Sequence, residues 1–266
     1  MLVCTLGDLL LDVVVRLDGS LAPGDDAPAA TRTGAGGQAA NVAAWVTALG
    51  GRARLIAKHG DDAAGRLCAA ELTALGVEVV GPRAGRGGVV VSLVAAGGDR
   101  TMASDRGVSP ELRPEDVEPA WLAGCDVLHV SGYALLVEPQ ASAAERAAAL
   151  AQETGARLSV DLSSASAIRD AGVDRVLARL QRVAPDTVFA TDAERDALGG
   201  ELDAQWVVKR GAGGIVVDGR GFPAVAAEVV DTTGAGDALA AGFLVGGPEL
   251  GLDAAARCVS KLGSLP

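Results

Sequence analysis

The stretch Asp231-Thr232-Thr233-Gly234-Ala235-Gly236-Asp237, running without a breaker into Ala238-Leu239-Ala240-Ala241-Gly242-Phe243-Leu244, constrains this chain more than any other. An apolar pair, Val229-Val230, leads in, two threonines and two glycines make the turn, and an Ala/Leu-rich segment follows. The pattern predicts strand, turn, helix. Gly234 and Gly236 give the backbone conformations closed to other residues and let a ligand come close. A helix start leaves its first N–H groups unpaired and carries the positive end of the dipole, so the place suits a phosphate or a developing anion. Asp237 falls in that first turn. It either caps the helix or accepts a proton from an alcohol attacking a phosphoryl group, while the amides of Gly234, Ala235 and Gly236 hold the developing charge. The spacing alone leaves both readings open.

The rest of the chain alternates between apolar β runs and helical segments. Leu2–Leu6 reads as a strand ending at Gly7-Asp8, and Leu9–Val15 continues apolar around Asp12, a lone acid that lies at a strand edge or is buried for a purpose. Residues 18–34 are a Gly/Pro/Asp/Ala/Thr excursion too weakly apolar for a core. Gly36-Gly37-Gln38-Ala39-Ala40-Asn41 enters a helix that stops at Gly50-Gly51. Gly88–Ala95 is a plain β run, Gly97-Gly98-Asp99 a hairpin turn, and Arg100–Ser104 a return strand. Beyond Pro114 come strands at 126–130, 158–162, 187–190, 206–209 and 215–217, with helices at 141–154, 173–180 and 193–198 and a last one at 252–262. This rhythm means a mostly parallel sheet wrapped by helices, with ligands gathered at the C-terminal strand ends.

With 266 residues the chain suffices for one large α/β domain. An apolar content of 49% with only 3% aromatic requires a core of Ala, Val and Leu. The net charge of −11 argues against nucleic acid as a partner. Four scattered cysteines without a C-x-x-C pair suggest neither zinc nor a disulfide framework, which makes a reducing cytoplasm the default. No signal peptide and no membrane span is expected. His59 reads as a strand-end residue with no nucleophile beside it. Arg100 and Arg106 read as surface arginines near an excursion that could meet an anion. Gly34-x-Gly36-x-x-Ala39 fits the loose dinucleotide pattern, but that fingerprint needs a preceding strand and the composition of 18–33 speaks against one. The phosphate-loop pattern G-x-x-x-x-G-K-[ST] and the protein-kinase H-R-D set are absent.

The 231–244 stretch resembles the C-terminal signature of the PfkB (ribokinase-like) family of carbohydrate and nucleoside kinases, at every signature position. The resemblance runs over essentially the whole chain. It implies a ribokinase-like αβα sandwich over residues 1–266 with a small β lid formed by about 12–34 and 86–108, and lids that pair in a homodimer. It implies Asp237 as catalytic base, with Gly234, Ala235 and Gly236 as the anion hole. Gly36, Gly37 and Asn41 match the family's first signature, which contacts the sugar, and Asp12 stands where an Asp bonds substrate hydroxyls. Gly60 and Asp62 supply a Gly-x-Asp. Lys209, Gly211 and Gly214 match a turn beside the nucleotide, and Thr232 also falls to the ATP side. Glu194 matches the Glu that helps place Mg²⁺, usually through water; the Asn of that motif is Thr191 here. A monovalent cation such as K⁺ is a further implication. Only 24 residues follow Gly242, supplying one of the two helical elements that close the family's adenine pocket, so a thinner pocket is expected. The implied activity is transfer of the γ-phosphoryl of ATP to a hydroxymethyl group of a small neutral sugar. A nucleoside kinase of the same family and a non-catalytic sugar- or nucleotide-binding homologue are the alternatives.

Overall fold

The computed structural model describes residues 1–21, 23–95 and 100–266. The first half runs β1 (Leu2–Leu6), β2 (Leu10–Leu17), β3 (Ala29–Gly36), α1 (Gln38–Ala48), β4 (Arg52–Ile56), α2 (Ala63–Ala74), β5 (Glu78–Val80), β6 (Gly88–Val94) and β7 (Arg100–Asp105). The second runs β8 (Val127–Ser131), α3 (Gln140–Glu153), β9 (Arg157–Asp161), α4 (Ala165–Ala171), α5 (Val173–Val183), β10 (Thr187–Thr191), α6 (Asp192–Leu198), β11 (Gln205–Lys209), β12 (Ile215–Val217), β13 (Arg220–Phe222), α7 (Ala235–Gly246) and α8 (Pro248–Val259).

Among the described residues two sheets form. The large one has strand order β13-β12-β11-β10-β9-β8-β1-β4-β5, parallel from β5 to β11, with β12 and β13 added antiparallel. Its central strands are buried along their length: β1 and β8 have no exposed residue, as a parallel sheet covered on both faces requires. One face packs against the alanine-rich α3 with α5, through Ala144, Ala147 and Leu180. The other packs against α1 and α7, through Ala40, Ala43, Trp45, Ala238 and Ala241. Small side chains let these helices lie close. A Cβ on Gly242 of α7 would sit 2.5 Å from the Leu250 carbonyl oxygen of α8.

The small sheet, order β3-β2-β6-β7, stands apart from the large one. Here β2 pairs antiparallel with β3 and parallel with β6, and β6 pairs antiparallel with β7. Asp12 is thus a lid residue, opposite Gly34 on one side and Val90 on the other, rather than the end of a central strand. The hairpin turn expected at Gly97-Gly98-Asp99 and the side chain of Arg100 fall outside the described residues.

Three expectations are corrected. A strand, β3, does precede Gly37, although 18–33 looked unfit for one; it is an exposed antiparallel lid strand, stabilised by pairing rather than by an apolar face. No strand leads into the Asp231 turn: residues 223–230 are irregular, and Val229 and Val230 are exposed because no sheet edge receives them. The last helix starts at Pro248 and ends at Val259, displaced from the expected 252–262, because Gly247 at φ 87° resets the chain immediately after α7.

Candidate active site

A cleft of about 1040 Å³ opens between the lid and the C-terminal ends of the central strands. Of the residues the motifs point to, all except Gly36 and the Gly60–Asp62 pair line it. Gly36 lies behind Asp12: a Cβ there would meet the Asp12 carboxylate at 2.1 Å, so this glycine gives the carboxylate its room. Gly37 is the residue before α1, at φ 98° and against the Asp8 carbonyl, a position that excludes a side chain.

Asp237 stands in the first turn of α7, after Gly234 in the left-handed region at φ 77°. Its Oδ2 accepts a 2.7 Å hydrogen bond from Nδ2 of Asn41, on α1. Asn41 is held in turn by Ser264, whose hydroxyl donates to Oδ1 at 3.0 Å, and the Trp45 indole N–H donates to the Ser264 carbonyl at 2.8 Å. Asn41 therefore positions Asp237 through a side-chain chain reaching back to the core, rather than bonding backbone within its helix. Burial raises the Asp237 pKa to about 7, the Asp161 and Asp12 carboxylates adding to the rise, while the Asn41 bond and the Lys209 ammonium act against it. A carboxylate poised near neutrality suits a general base.

Thr232, Thr233 and Gly234 form the turn before α7. Asp231 fixes it: Oδ1 accepts from the Thr233 amide and hydroxyl at 2.9 and 2.6 Å, and Oδ2 accepts from the Gly263 amide at 2.9 Å. The Ala235 amide makes a long 3.4 Å contact with the Thr232 carbonyl. The helix start is thus an ordered set of donors facing the cleft.

Across from it, Lys209 ends β11 and donates a 2.6 Å hydrogen bond to Asp161 at the end of β9, a carboxylate 1% exposed. Burial acts to lower the Lys209 pKa, but the charges of Asp161, Glu194 and Asp237 outweigh it and the net shift is upward, so the ammonium stays charged. Gly211–Gly213 form the turn between β11 and β12. Glu194 follows β10 on α6. Its Oε2 accepts from the Thr191 amide at 2.7 Å while Thr191 Oγ1 accepts from the Glu194 amide, a reciprocal capping box. Thr191 thus does structural work, and Glu194 both caps α6 and lines the cleft. No group of three or more His, Cys, Asp or Glu that could cage a metal occurs among the described residues. This donor set fits Mg²⁺ only as an ion held mainly by phosphates and water, with one carboxylate nearby.

At the lid end the arrangement adds residues the motifs did not identify. Arg106 is not a free surface arginine: it grips Asp8 at 2.6 and 2.8 Å and Gln140 Oε1 at 2.7 Å, with only 20% of its side chain exposed. Gln38 accepts from both Ser131 and Ser163 hydroxyls, at 2.5 and 2.6 Å, and Ser163 holds φ 68°, a strained conformation for a side-chain-bearing residue. The signal for Arg106 and Asp8 was available as an acid and an arginine in otherwise apolar or turn segments, but their pairing across 98 residues was not. Neither histidine lines the cleft, as expected for His59. Asp62 caps α2 and accepts from the Gly87 amide, a structural role for the Gly-x-Asp.

The model of the pfkB family carbohydrate kinases matches residues 1–265. The chain belongs to that family. It is similar to an ATP-dependent ribose-1-phosphate kinase of Halopiger xanaduensis, 33% identical over 91% of this chain and 83% of that one. It is also similar to a fructokinase of Escherichia coli, 29% identical over 98% and 89%. Among solved structures, the adenosine kinase of Sinorhizobium meliloti superposes with a TM-score of 0.88 at 29% identity, covering 99% and 95% of the two chains. As a pfkB-family member the chain is an ATP-dependent carbohydrate kinase with a ribokinase-like fold. No described helix is long and apolar enough to cross a membrane.

Proposed function

We propose that Asp237 is the general base for transfer of the γ-phosphoryl of ATP to a primary hydroxyl of a neutral sugar, which Asp12 binds at the lid end. The observation that carries this reading is the Asp237 carboxylate, held by Asn41 at the start of α7 with its pKa near 7. The base takes the proton of the attacking hydroxyl. The amides of Gly234, Ala235 and Gly236 and the Lys209 ammonium hold charge on the transferring group. Gly211, Gly214 and Thr232 border the donor, and Glu194 stands by for Mg²⁺. When bound, Mg²⁺ neutralises phosphate charge and orients the donor.

A neutral acceptor is favoured by electrostatics. Asp12 faces the acceptor end, and the one described arginine there is committed to Asp8 and Gln140. A phosphorylated acceptor would approach Asp12 and compete with the Asp8–Arg106 pair. A second reading, a sugar phosphate as acceptor, draws support from Arg106 within the cleft and from the ribose-1-phosphate kinase relative. ADP release from Mg-ATP over a panel of pentoses, hexoses, ribose 1-phosphate and nucleosides decides between them. A neutral sugar turned over best, with Asp237→Asn inactive on it, supports the proposal. Ribose 1-phosphate preferred by tenfold or more replaces it.

A further inference from the structure

The chain crosses between the large sheet and the lid at residues 7–9 between β1 and β2, at Gly37 between β3 and α1, at 81–87 between β5 and β6, and from Arg106 onward after β7. These crossings converge on one side-chain cluster. Asp8, in the first crossing, is buried and receives Arg106, in the last, through both of its oxygens: Nε donates to Oδ2 at 2.6 Å and Nη2 to Oδ1 at 2.8 Å. Gln140, buried at the start of α3, closes the ring, its Nε2 donating to Asp8 Oδ1 at 3.0 Å and its Oε1 accepting from Arg106 Nη2 at 2.7 Å. The backbone packs to the same point. A Cβ on Gly37 would lie 2.4 Å from the Asp8 carbonyl oxygen, and one on Gly88 would lie 2.7 Å from that of Arg106. The Val108 amide donates to the Arg86 carbonyl at 3.1 Å, joining the third crossing to the fourth.

Two of these crossings lead straight to the acceptor end. Asp12 follows Asp8 onto β2, and Asn41, which holds Asp237, follows Gly37 onto α1. A planar guanidinium bonded to both oxygens of a buried carboxylate fixes direction as well as distance. We propose that Arg106 is a positioning residue for the phosphoryl transfer: its grip on Asp8 and Gln140 holds the lid at the angle that sets Asp12 opposite Asp237. It acts on the acceptor through Asp8 and not by touching it. The inference rests on the reading that the acceptor lies against Asp12 at the lid end.

Without this tie the lid samples positions in which Asp12 and Asp237 do not face one acceptor together. Apparent affinity then falls with the fraction of molecules in the competent arrangement, and saturating acceptor restores that arrangement. Arg106→Met should therefore raise the acceptor KM by about ten- to a hundredfold and leave kcat within about threefold of the wild type. Donor phosphates meet the start of α7, so the donor KM should stay within about twofold. Lysine keeps the charge but, as a point charge without the fork, cannot serve both Asp8 oxygens and Gln140 at once, so Arg106→Lys should recover part of the loss. Asp8→Asn breaks the same tie. In the double variant the acceptor KM should rise no further than in Arg106→Met alone.

Steady-state kinetics in each substrate tests this on the full chain, with Arg106→Met, Arg106→Lys, Asp8→Asn, the double variant and Asp12→Asn beside the wild type. Arg106→Lys and Asp8→Asn carry the test if the Met variant does not fold. The expected result is an acceptor KM raised by the same factor for every acceptor turned over, phosphorylated or neutral, with kcat and donor KM level, partial recovery in Arg106→Lys and no additivity in the double variant. A loss confined to phosphorylated acceptors overturns the inference and makes Arg106 a direct contact, as does an Asp8→Asn variant whose acceptor KM is unchanged. A fall in kcat together with a raised donor KM and a lowered Tm assigns the cluster to stability alone and also overturns it. An acceptor KM raised in Asp12→Asn but level in Arg106→Met removes this inference and leaves the acceptor reading standing. An acceptor KM level in Asp12→Asn, or no turnover of any acceptor, removes both.

Discussion

Asn41 offers the sharpest test of how Asp237 is tuned. Its Nδ2 donates a 2.7 Å hydrogen bond to the Asp237 carboxylate, and this bond favours the ionised form. Replacing Asn41 by Ala removes the donor and leaves burial and the Asp161 and Asp12 charges unopposed except by Lys209, so the pKa must rise. A hydrogen bond to a charged group is worth about 1.5–3 kcal/mol. At about 1.4 kcal/mol per pH unit, that amounts to about one to two units. The ascending limb of kcat/KM against pH, expected at about 7 in the wild type from the raised Asp237 pKa, should then move to about 8–9. The assay is ADP release measured from pH 5.5 to 9.5 with a saturating donor. At pH 6 the variant should be slower by about ten- to a hundredfold, and above pH 9 it should approach the wild type. Ser264→Ala is the control. It removes the bond to the far side of Asn41 and leaves the Asn41–Asp237 bond in place, so the limb should move by less than about half a unit. A limb that stays at 7 in Asn41→Ala, or a loss equal at all pH values, refutes the argument that Asn41 tunes the base.

Gly36→Ala should raise the acceptor KM by tenfold or more while the donor KM stays level, because a Cβ at 2.1 Å displaces the Asp12 carboxylate; steady-state kinetics in each substrate reads the split. Lys209→Met leaves the buried Asp161 carboxylate unpaired. Breaking a buried pair costs about 3–5 kcal/mol, so Tm should drop by on the order of 10 °C in a thermal scan. Thr191→Asn keeps a good helix cap and should leave Tm and activity level or improved; a sharp loss would show that the threonine hydroxyl has a further task. Asp237→Asn should raise Tm, because the native carboxyl binds its proton more tightly than the unfolded one. Stability of the wild type then falls as pH rises from the unfolded value of 3.8 to about 7 and is level above. With water in the cleft screening part of the effect, the gain should be about 1–2 kcal/mol at pH 8 and should vanish toward pH 4.

The alternation of β runs and helices announced the layered fold because it is written in local apolar period, and the Asp237 turn announced itself because a helix start after a glycine turn is a local device. The lid was harder. The strand at Ala29–Gly36 carries no apolar face, and only its pairing with Leu10–Leu17 makes it a strand. In the same way Val229-Val230 had the composition of a strand but found no sheet edge. Long-range side-chain pairs were invisible for a related reason. Asn41 with Asp237, Lys209 with Asp161, and Arg106 with Asp8 join residues 196, 48 and 98 positions apart, and no local pattern encodes them. Arg106 shows the cost: read alone it is a surface arginine, whereas it locks the lid exit to the end of β1. Thr191 shows the converse, since its departure from the family's Asn is absorbed by a capping box that either residue can form.

The central claim is that Asp237 acts as the base, and single-turnover phosphorylation by Asp237→Asn beside the wild type tests it most directly. At pH 8, with the variant saturated by donor and acceptor, the account predicts a rate lower by about 10³-fold or more, with donor affinity within about twofold of the wild type. A rate within tenfold of the wild type would contradict it.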